Sequence, residues 1–218
     1  LLPALFNTVI MTLLSLLLAV PLGVGGAIYL AEYANRSSKI VKAVRLTAET
    51  LAGIPSILYG LFGMMFFVTS LRWSYSLLAG GMTLAVMILP LILRTTEEAL
   101  LSVPDSYREG SFGLGAGRLR TVTHIVLPPA MSGILAGVIL AIGRVVGETA
   151  ALIYTAGTVA DWPKGVMSSG RTLAVHMYVL SGEGLHVSEA SATAVVLLVI
   201  VVGMNALSAF AAKKLTRG

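Results

Sequence analysis

The side chains with the most evident chemistry are two ionisable residues, Arg144 and Glu148, inside the apolar stretch 130–158. If this stretch crosses a membrane, a charge near its centre costs about 2.5–3.5 kcal/mol and must be paired or face water. Residues four apart share a helix face, so the two can form a self-neutralising structural pair. Alternatively, the Arg144 guanidinium lines a polar path and binds an oxyanion, Glu148 orients it, and the Thr149 and Thr155 hydroxyls add donors. Both interpretations fit the sequence.

The composition places most of the chain in a lipid bilayer. Of 218 residues, 56% are hydrophobic and 11% are charged, whereas soluble domains carry about 25% charged residues. The mean hydropathy is +0.90. The chain has no cysteine, which excludes disulfides and thiol chemistry, and its three histidines are scattered, so no metal site is predicted. The net charge of +5 is concentrated in particular loops, which indicates membrane orientation rather than nucleic-acid binding.

Five apolar segments are long enough to cross a bilayer, which predicts an all-α, polytopic transmembrane bundle. They are residues 5–30, 50–70, 77–95, 130–158 and 189–212. Gly53 and Pro55 interrupt the second segment, where we expect either a cavity-lining element or a plain packing kink. The connector 31–49 is predicted to be an amphipathic surface helix, and the polar segment 159–188 to contain a short helix around Thr172 to Leu180.

The longest polar interruption is residues 97–128, which we call the coupling loop. Its pattern predicts two short helices, the first with Pro104 in its first turn and the second ended by Pro128 and Pro129. Glycines 113, 115 and 117 mark the bend between them, and Leu119, Val122 and Val126 give the second helix an apolar face. Such a loop is suited to docking against another protein.

The spacing within this loop resembles a known motif. Glu109, Gly110 and Ser111 are followed after three residues by Gly115 and after nine more by Ile125-Val126-Leu127-Pro128. This is similar to the EAA loop of ABC importer permeases, E-A-A, three residues, Gly, nine residues, I-x-L-P. The resemblance implies that these residues couple the chain to a cytoplasmic ATPase, as a loop within a single transmembrane domain covering 1–218 with the ABC importer permease (MetI-like) fold.

Three further stretches resemble the phosphate-importer branch of that family, A type. They are AVPLGVGGAIYLAEYA at 19–34, GIPSILYGLFG at 53–63 and GRVVGETAALIYTAG at 143–157. Ala151 departs from the branch, which often has proline there, and residues 158–190 match nothing reliable.

This resemblance implies inward transport of inorganic phosphate with Arg144, Glu148 and Thr149 on the substrate path. The implied partners are a second homologous permease subunit, two copies of the ATPase and an external phosphate-binding protein. ATP and magnesium would be bound by the ATPase, and this chain would bind no cofactor.

Alternatives come from different classes of protein. One is an ABC permease for another oxyanion, such as phosphonate, sulfate or molybdate, although G-E-T-A differs from the G-E-F-G typical of the last two. A channel or secondary carrier would lack the ATPase-docking motif, and a membrane enzyme would need further buried catalytic groups. The chain carries no G-x-x-x-x-G-K-[ST], so we expect it not to be an enzyme.

The basic residues predict the orientation. If the coupling loop is cytoplasmic, only Arg72, Lys164 and Arg171 lie outside and Arg144 lies within a span, which leaves 11 of the 15 Lys and Arg residues inside. We therefore expect a bacterial or archaeal cytoplasmic (inner) membrane, with Leu1 outside and the C-terminus cytoplasmic. The resemblance implies six spans, of which five are visible, so an N-terminal span is expected to be missing.

Overall fold

The computed structural model describes residues 1–35, 37–184 and 186–215, and within them it contains helices and no strand. Three helices are extended by π-helical turns, in which backbone hydrogen bonds span five residues: Tyr29–Tyr33, Met64–Ser70 and Val122–Val126. The helices are α1 Leu2–Ile28, α2 Lys39–Ala52, α3 Ser56–Gly63, α4 Leu77–Leu101, α5 Asp105–Gly113, α6 Arg118–Thr121, α7 Leu127–Val146, α8 Ala150–Ile153, α9 Leu173–Glu183 and α10 Val187–Leu215.

Four helical stretches among the described residues are long and apolar enough to cross a membrane: Leu2–Tyr33, Leu77–Leu101, Arg118–Val146 and Val187–Met204. A fifth span results if Lys39–Ala52 and Ser56–Ser70 are counted together, although they meet at a bend of 102°. The all-α, multi-pass prediction is therefore confirmed, and the interruption at Gly53 to Pro55 is a sharp bend.

Helix α4 lies at the centre of the bundle. In its most apolar 18-residue stretch 61% of the residues are buried, compared with 28% in α1 and 11% in α10. Small residues allow close packing here, since a Cβ atom added to Gly137 of α7 would lie 2.1 Å from the Thr95 Oγ1 atom of α4. The outward faces of α1 and α10, such as Leu17 and Leu198, remain exposed.

The prediction that residues 130–158 form one continuous span is wrong beyond Val146. Gly147 caps α7, and Thr149 leaves the helical region with φ −124° and ψ −54°. A short separate helix, α8, follows at Ala150. The apolar composition continues through this break, so hydropathy alone did not reveal it.

Pro128 and Pro129 do not end the second helix of the coupling loop, contrary to the prediction. They occupy the first turn of α7, where a missing N–H is tolerated, and the preceding π-helical turn joins α6 to α7 in one helical stretch, Arg118–Val146. Pro104 lies one position earlier than predicted, as the extended residue before α5.

Both predicted surface helices are present. Helix α2 buries Val41 and Ala48 while Lys39 and Lys42 are exposed, as expected for an amphipathic helix. Helix α9 begins after Thr172, whose Oγ1 accepts a hydrogen bond from the Val175 N–H at 3.4 Å.

Candidate functional site

Arg144 lies in the last turn of α7, at the break in the fourth span, and its side chain is half-buried. The negative end of the helix dipole favours a cation at this position. Among the ion pairs of the described residues, none includes Arg144. Its donors are therefore available to an anion.

Glu148 has a separate role. It is 9% exposed, and its Oε1 atom accepts a hydrogen bond from the Ala151 N–H at 3.1 Å, which caps α8. The predicted pair of Arg144 and Glu148 on one helix face is wrong, because α7 ends at Val146, before Glu148.

The two threonines differ in availability. Thr149 is half-buried at the start of α8 and forms no side-chain cap, so its hydroxyl stays beside the break. Thr155 is fully buried and donates its hydroxyl proton to the Ala151 carbonyl oxygen at 2.8 Å. The prediction that Thr155 offers a donor to substrate is therefore wrong, since that proton is already used.

Tyr59 of α3 connects the bend of the second span with the break of the fourth. Its hydroxyl donates to the Leu51 carbonyl oxygen at 2.8 Å, across the bend. The next residue, Gly60, packs against α8 so closely that an added Cβ atom would lie 2.8 Å from the Ala151 Cα atom. The sequence motif 53–63 contained Tyr59, but nothing local indicated this bridging role.

The coupling loop forms a helical turn as predicted. Gly115 adopts φ +80°, a left-handed conformation that suits glycine. The Ser111 and Thr121 hydroxyl oxygens lie 2.8 Å apart and join the two helices. Of the motif residues, Glu109, Gly110, Gly115 and Pro128 are exposed, whereas Ser111, Ile125 and Leu127 are half-buried.

Large apolar side chains are exposed at the end of this loop, and we call them the coupling-loop tip. The apolar face predicted for the second helix of the loop is divided. Val122 and Val126 are buried within the chain, whereas Leu119 is exposed and belongs to the tip. Exposed apolar patches of this kind are typical of interaction sites. The tip consists of Tyr107 (56% exposed), Phe112 (46%), Leu114 (91%) and Leu119 (70%).

Arg108 anchors the coupling loop to the end of α1, an interaction that the sequence analysis missed. Its Nη2 atom lies 2.6 Å from Glu32 Oε1, and both side chains are at least 90% buried. The guanidinium also donates to the carbonyl oxygens of Val103 (2.7 Å) and Leu100 (2.9 Å) and to Asp105 (3.2 Å). The hydrogen bond with Glu32 raises the pKa of Arg108 further. Glu32 is 76 positions away in the chain, so local sequence gave no signal.

A second ion pair holds α2 against α4. Arg45 Nη2 lies 2.6 Å from Glu97 Oε1, and the Glu97 side chain is 10% exposed. Both ion pairs lie on the side of the molecule that carries the coupling loop.

Solved structures of ABC transporters share this architecture. The structure matches an inward-facing MetNI methionine ABC transporter with a TM-score of 0.75 at 20% identity, covering 98% of this chain and 93% of that chain. It matches a chain of a bacterial ABC transporter involved in the import of the acidic polysaccharide alginate with a TM-score of 0.69 at 19% identity, covering 95% of this chain and 78% of that chain. These similarities establish the fold.

Sequence comparison agrees with the fold. A probable ABC transporter permease, YqgI of Bacillus subtilis, is 38% identical over 194 residues, 83% of this chain and 66% of that protein. The phosphate transport system permease protein PstA of Pasteurella multocida is 40% identical over 156 residues, 72% and 55%. PstA 1 of Mycobacterium tuberculosis H37Rv is 39% identical over 154 residues, 71% and 49%. The chain thus spans about half to two thirds of the length of these relatives.

The family model for the inner membrane component of binding-protein-dependent transport systems matches residues 19–218. The chain therefore belongs to this family of membrane proteins.

Proposed function

We propose that this chain moves inorganic phosphate inward across a cytoplasmic membrane as one subunit of an ATP-driven importer. The observation that carries the proposal is Arg144, a half-buried guanidinium without an ion-pair partner among the described residues, at a break in a spanning helix. The relatives named as phosphate permeases support the choice of anion, whereas the name of YqgI gives no substrate.

The chemistry suits a tetrahedral oxyanion. A guanidinium presents a planar fork of N–H donors that matches two phosphate oxygens. Transport requires that binding be weak enough for release. The Glu148 carboxylate, four positions on, moderates the positive potential at the break, and the Thr149 hydroxyl adds a neutral donor.

We further propose that the coupling-loop tip docks on a cytoplasmic ATPase, with two ATPase copies serving this subunit and a second related permease subunit. An external phosphate-binding protein delivers the substrate. ATP and magnesium are bound by the ATPase, this chain binds no cofactor, and its C-terminus lies in the cytoplasm. Two features support this assignment: the exposed apolar tip, and the Arg108–Glu32 ion pair that anchors the coupling loop to α1. Docking needs an exposed apolar surface that is held in one position.

Radiolabelled phosphate uptake in cells that express the complex tests the pathway. Arg144→Gln is expected to reduce uptake at least tenfold while the complex stays assembled, because the charge is lost but the side-chain size is nearly kept. Arg94→Gln, which removes an exposed arginine of two surface ion pairs, is the matched control and should transport normally. Unchanged uptake in Arg144→Gln would refute the pathway role. Competition by phosphonate, sulfate or molybdate at equal concentration distinguishes phosphate from the other oxyanions.

Leu114→Asp tests docking. Leu114 is 91% exposed, so the substitution should leave folding unchanged and remove the ATPase from a pull-down of the permease. Thr123→Asp introduces the same charge at an exposed position outside the tip and should retain the ATPase. Normal ATPase recovery with Leu114→Asp would contradict the docking assignment.

A further inference from the structure

The bend of 102° between α2 and α3 deprives one backbone carbonyl group of its usual helical donor. In a continuous helix the Leu51 carbonyl oxygen would accept a hydrogen bond from the N–H of residue 55, but Pro55 has no N–H. Unsatisfied carbonyl groups are costly in a membrane. The Leu51 oxygen instead accepts from the Ile54 N–H at 3.1 Å and from the Tyr59 hydroxyl at 2.8 Å. The Tyr59 hydroxyl thus replaces the missing N–H and connects α3 to the end of α2.

The ring of Tyr59 is held in the core of the bundle. Tyr59 is 5% exposed, and it belongs to the same buried apolar cluster as Val145, the residue after Arg144, and Leu152 of α8. Side chains in a close-packed core keep defined rotamers, so the hydroxyl is presented to the bend from a fixed position. The phenol therefore connects the bend with the core at the end of α7.

Helix α3 fits closely against α8. A Cβ atom added to Gly60 would lie 2.8 Å from the Ala151 Cα atom, and one added to Gly63 would lie 2.7 Å from the Thr155 Cγ2 atom. The two glycines are three positions apart and therefore share a face of α3. With contacts this close at both positions, α3 cannot change direction without moving α8.

Only residues 147–149 join α8 to the end of α7. Within this link the Glu148 N–H donates to the Val145 carbonyl oxygen at 3.1 Å, so the link remains compact. A connection this short transmits a shift of α8 to the last turn of α7, which carries Arg144. The direction of α3 therefore affects the position of the Arg144 guanidinium.

We infer that Tyr59 is a positioning residue of the proposed phosphate path, whose hydroxyl fixes the bend and thereby the location of Arg144. The inference rests on the proposed function. Tyr59 acts through Arg144 and not as a ligand, because its hydroxyl proton is donated to Leu51. Loss of the hydroxyl should leave the complex assembled, since the Ile54 N–H still satisfies the Leu51 carbonyl group, but the angle of the bend should vary.

A spin-label distance measurement across the bend tests the first step in the assembled complex. The chain has no cysteine, so Leu46→Cys on α2 and Met65→Cys after α3, both at exposed positions, can be labelled selectively beside cysteine-free partner subunits. Tyr59→Phe should broaden the distribution of distances between the labels. Tyr178→Phe removes the hydroxyl of an exposed tyrosine and should leave the distribution unchanged. An unchanged distribution in Tyr59→Phe would overturn the inference.

The number of phosphate ions transported per ATP hydrolysed, measured in proteoliposomes with the complex and its binding protein, tests the second step. Tyr59→Phe should lower this ratio about fivefold, because the ATPase still turns over while the guanidinium is displaced. A smaller amount of folded complex would lower both rates and leave the ratio unchanged, and Tyr178→Phe should also keep the ratio. If Arg144→Gln lowers the ratio and Tyr59→Phe does not, the inference is wrong and the proposed path stands. A normal ratio in Arg144→Gln would refute the proposed path and the inference with it.

Pro55→Ala provides an independent test, because it restores an N–H that can donate to the Leu51 carbonyl oxygen in a continuous helix. While the Tyr59 hydroxyl is present, the bend should be kept. Pro55→Ala/Tyr59→Phe should instead let α2 and α3 join in a straighter helix, with a longer distance between the labels at positions 46 and 65. This double variant keeps the test available if Tyr59→Phe alone does not assemble. An unchanged distance in it would overturn the role of the hydroxyl.

Discussion

Arg108 and Arg144 both lie next to the ends of apolar helices, and their surroundings are opposite. The Arg108 guanidinium is held by the Glu32 carboxylate, by Asp105 and by backbone carbonyl oxygens, with its side chain 10% exposed. Arg144 is half-buried and takes part in none of the ion pairs among the described residues. An arginine whose donors are all used stabilises the fold, whereas one with donors left over is available for an anionic substrate.

Removal of the Arg108 charge should produce the largest change in stability. Arg108→Gln leaves Glu32 buried without its partner, and breaking such a pair costs about 3–5 kcal/mol. We expect a large drop in the thermal unfolding temperature of the purified complex and loss of the ATPase, because the coupling loop is no longer held.

Arg94→Gln is the matched control in the same stability measurement, since its pairs with Glu49 and Glu98 are exposed, and it should not change the unfolding temperature. The double variant Glu32→Gln/Arg108→Gln should recover part of the loss, because no buried charge remains. If the Arg108→Gln complex were as stable as the unsubstituted complex, Arg108 would not be a structural residue, and its contrast with Arg144 would be wrong.

Gly60→Ala should give the next largest effect, and it perturbs the surroundings of Arg144 without removing a charge. An added Cβ atom meets the Ala151 Cα atom at 2.8 Å, so α3 and α8 must separate at a cost of about 1–3 kcal/mol. We expect phosphate uptake to fall while ATPase binding remains normal. Gly143→Ala adds the same methyl group next to Arg144 with no atom within 4 Å and should transport normally. Equal phosphate uptake by Gly60→Ala and Gly143→Ala would show that the close packing of α3 against α8 does not affect transport.

Ala151→Pro should lower stability less than Arg108→Gln or Gly60→Ala. It removes the backbone N–H that donates a hydrogen bond to Glu148, which lowers the free energy of unfolding by about 1 kcal/mol. Proline itself is tolerated in the first turn of a helix. The unfolding temperature should fall slightly.

Glu148→Gln keeps an amide oxygen to accept the same hydrogen bond but removes the negative charge. Its stability should be unchanged, and the KM for phosphate should decrease together with the maximal rate, because the anion is held more tightly. An unchanged KM would show that Glu148 acts only as a cap.

Features with a local cause were predictable from the sequence. Hydropathy identified the long apolar helices, the three-residue spacing of basic residues identified α2, and the spacing from Glu109 to Pro128 identified the coupling loop. The end of α7 at Val146 was missed because the residues that follow are as apolar as those before it. The Arg108–Glu32 pair and the position of Tyr59 depend on distant segments meeting in space, and single residues carry no signal of such contacts.

The π-helical turn Val122–Val126 has a mechanical consequence. By joining α6 to α7 it produces one rod of 29 residues, from Arg118 to Val146, with a length of about 43 Å. A tilt of about 5° at the coupling-loop end of such a rod displaces its far end by roughly 4 Å, which exceeds the span of a hydrogen bond. Two helices joined by a flexible bend would absorb that tilt. A continuous rod would transmit such a tilt toward Arg144 at its far end.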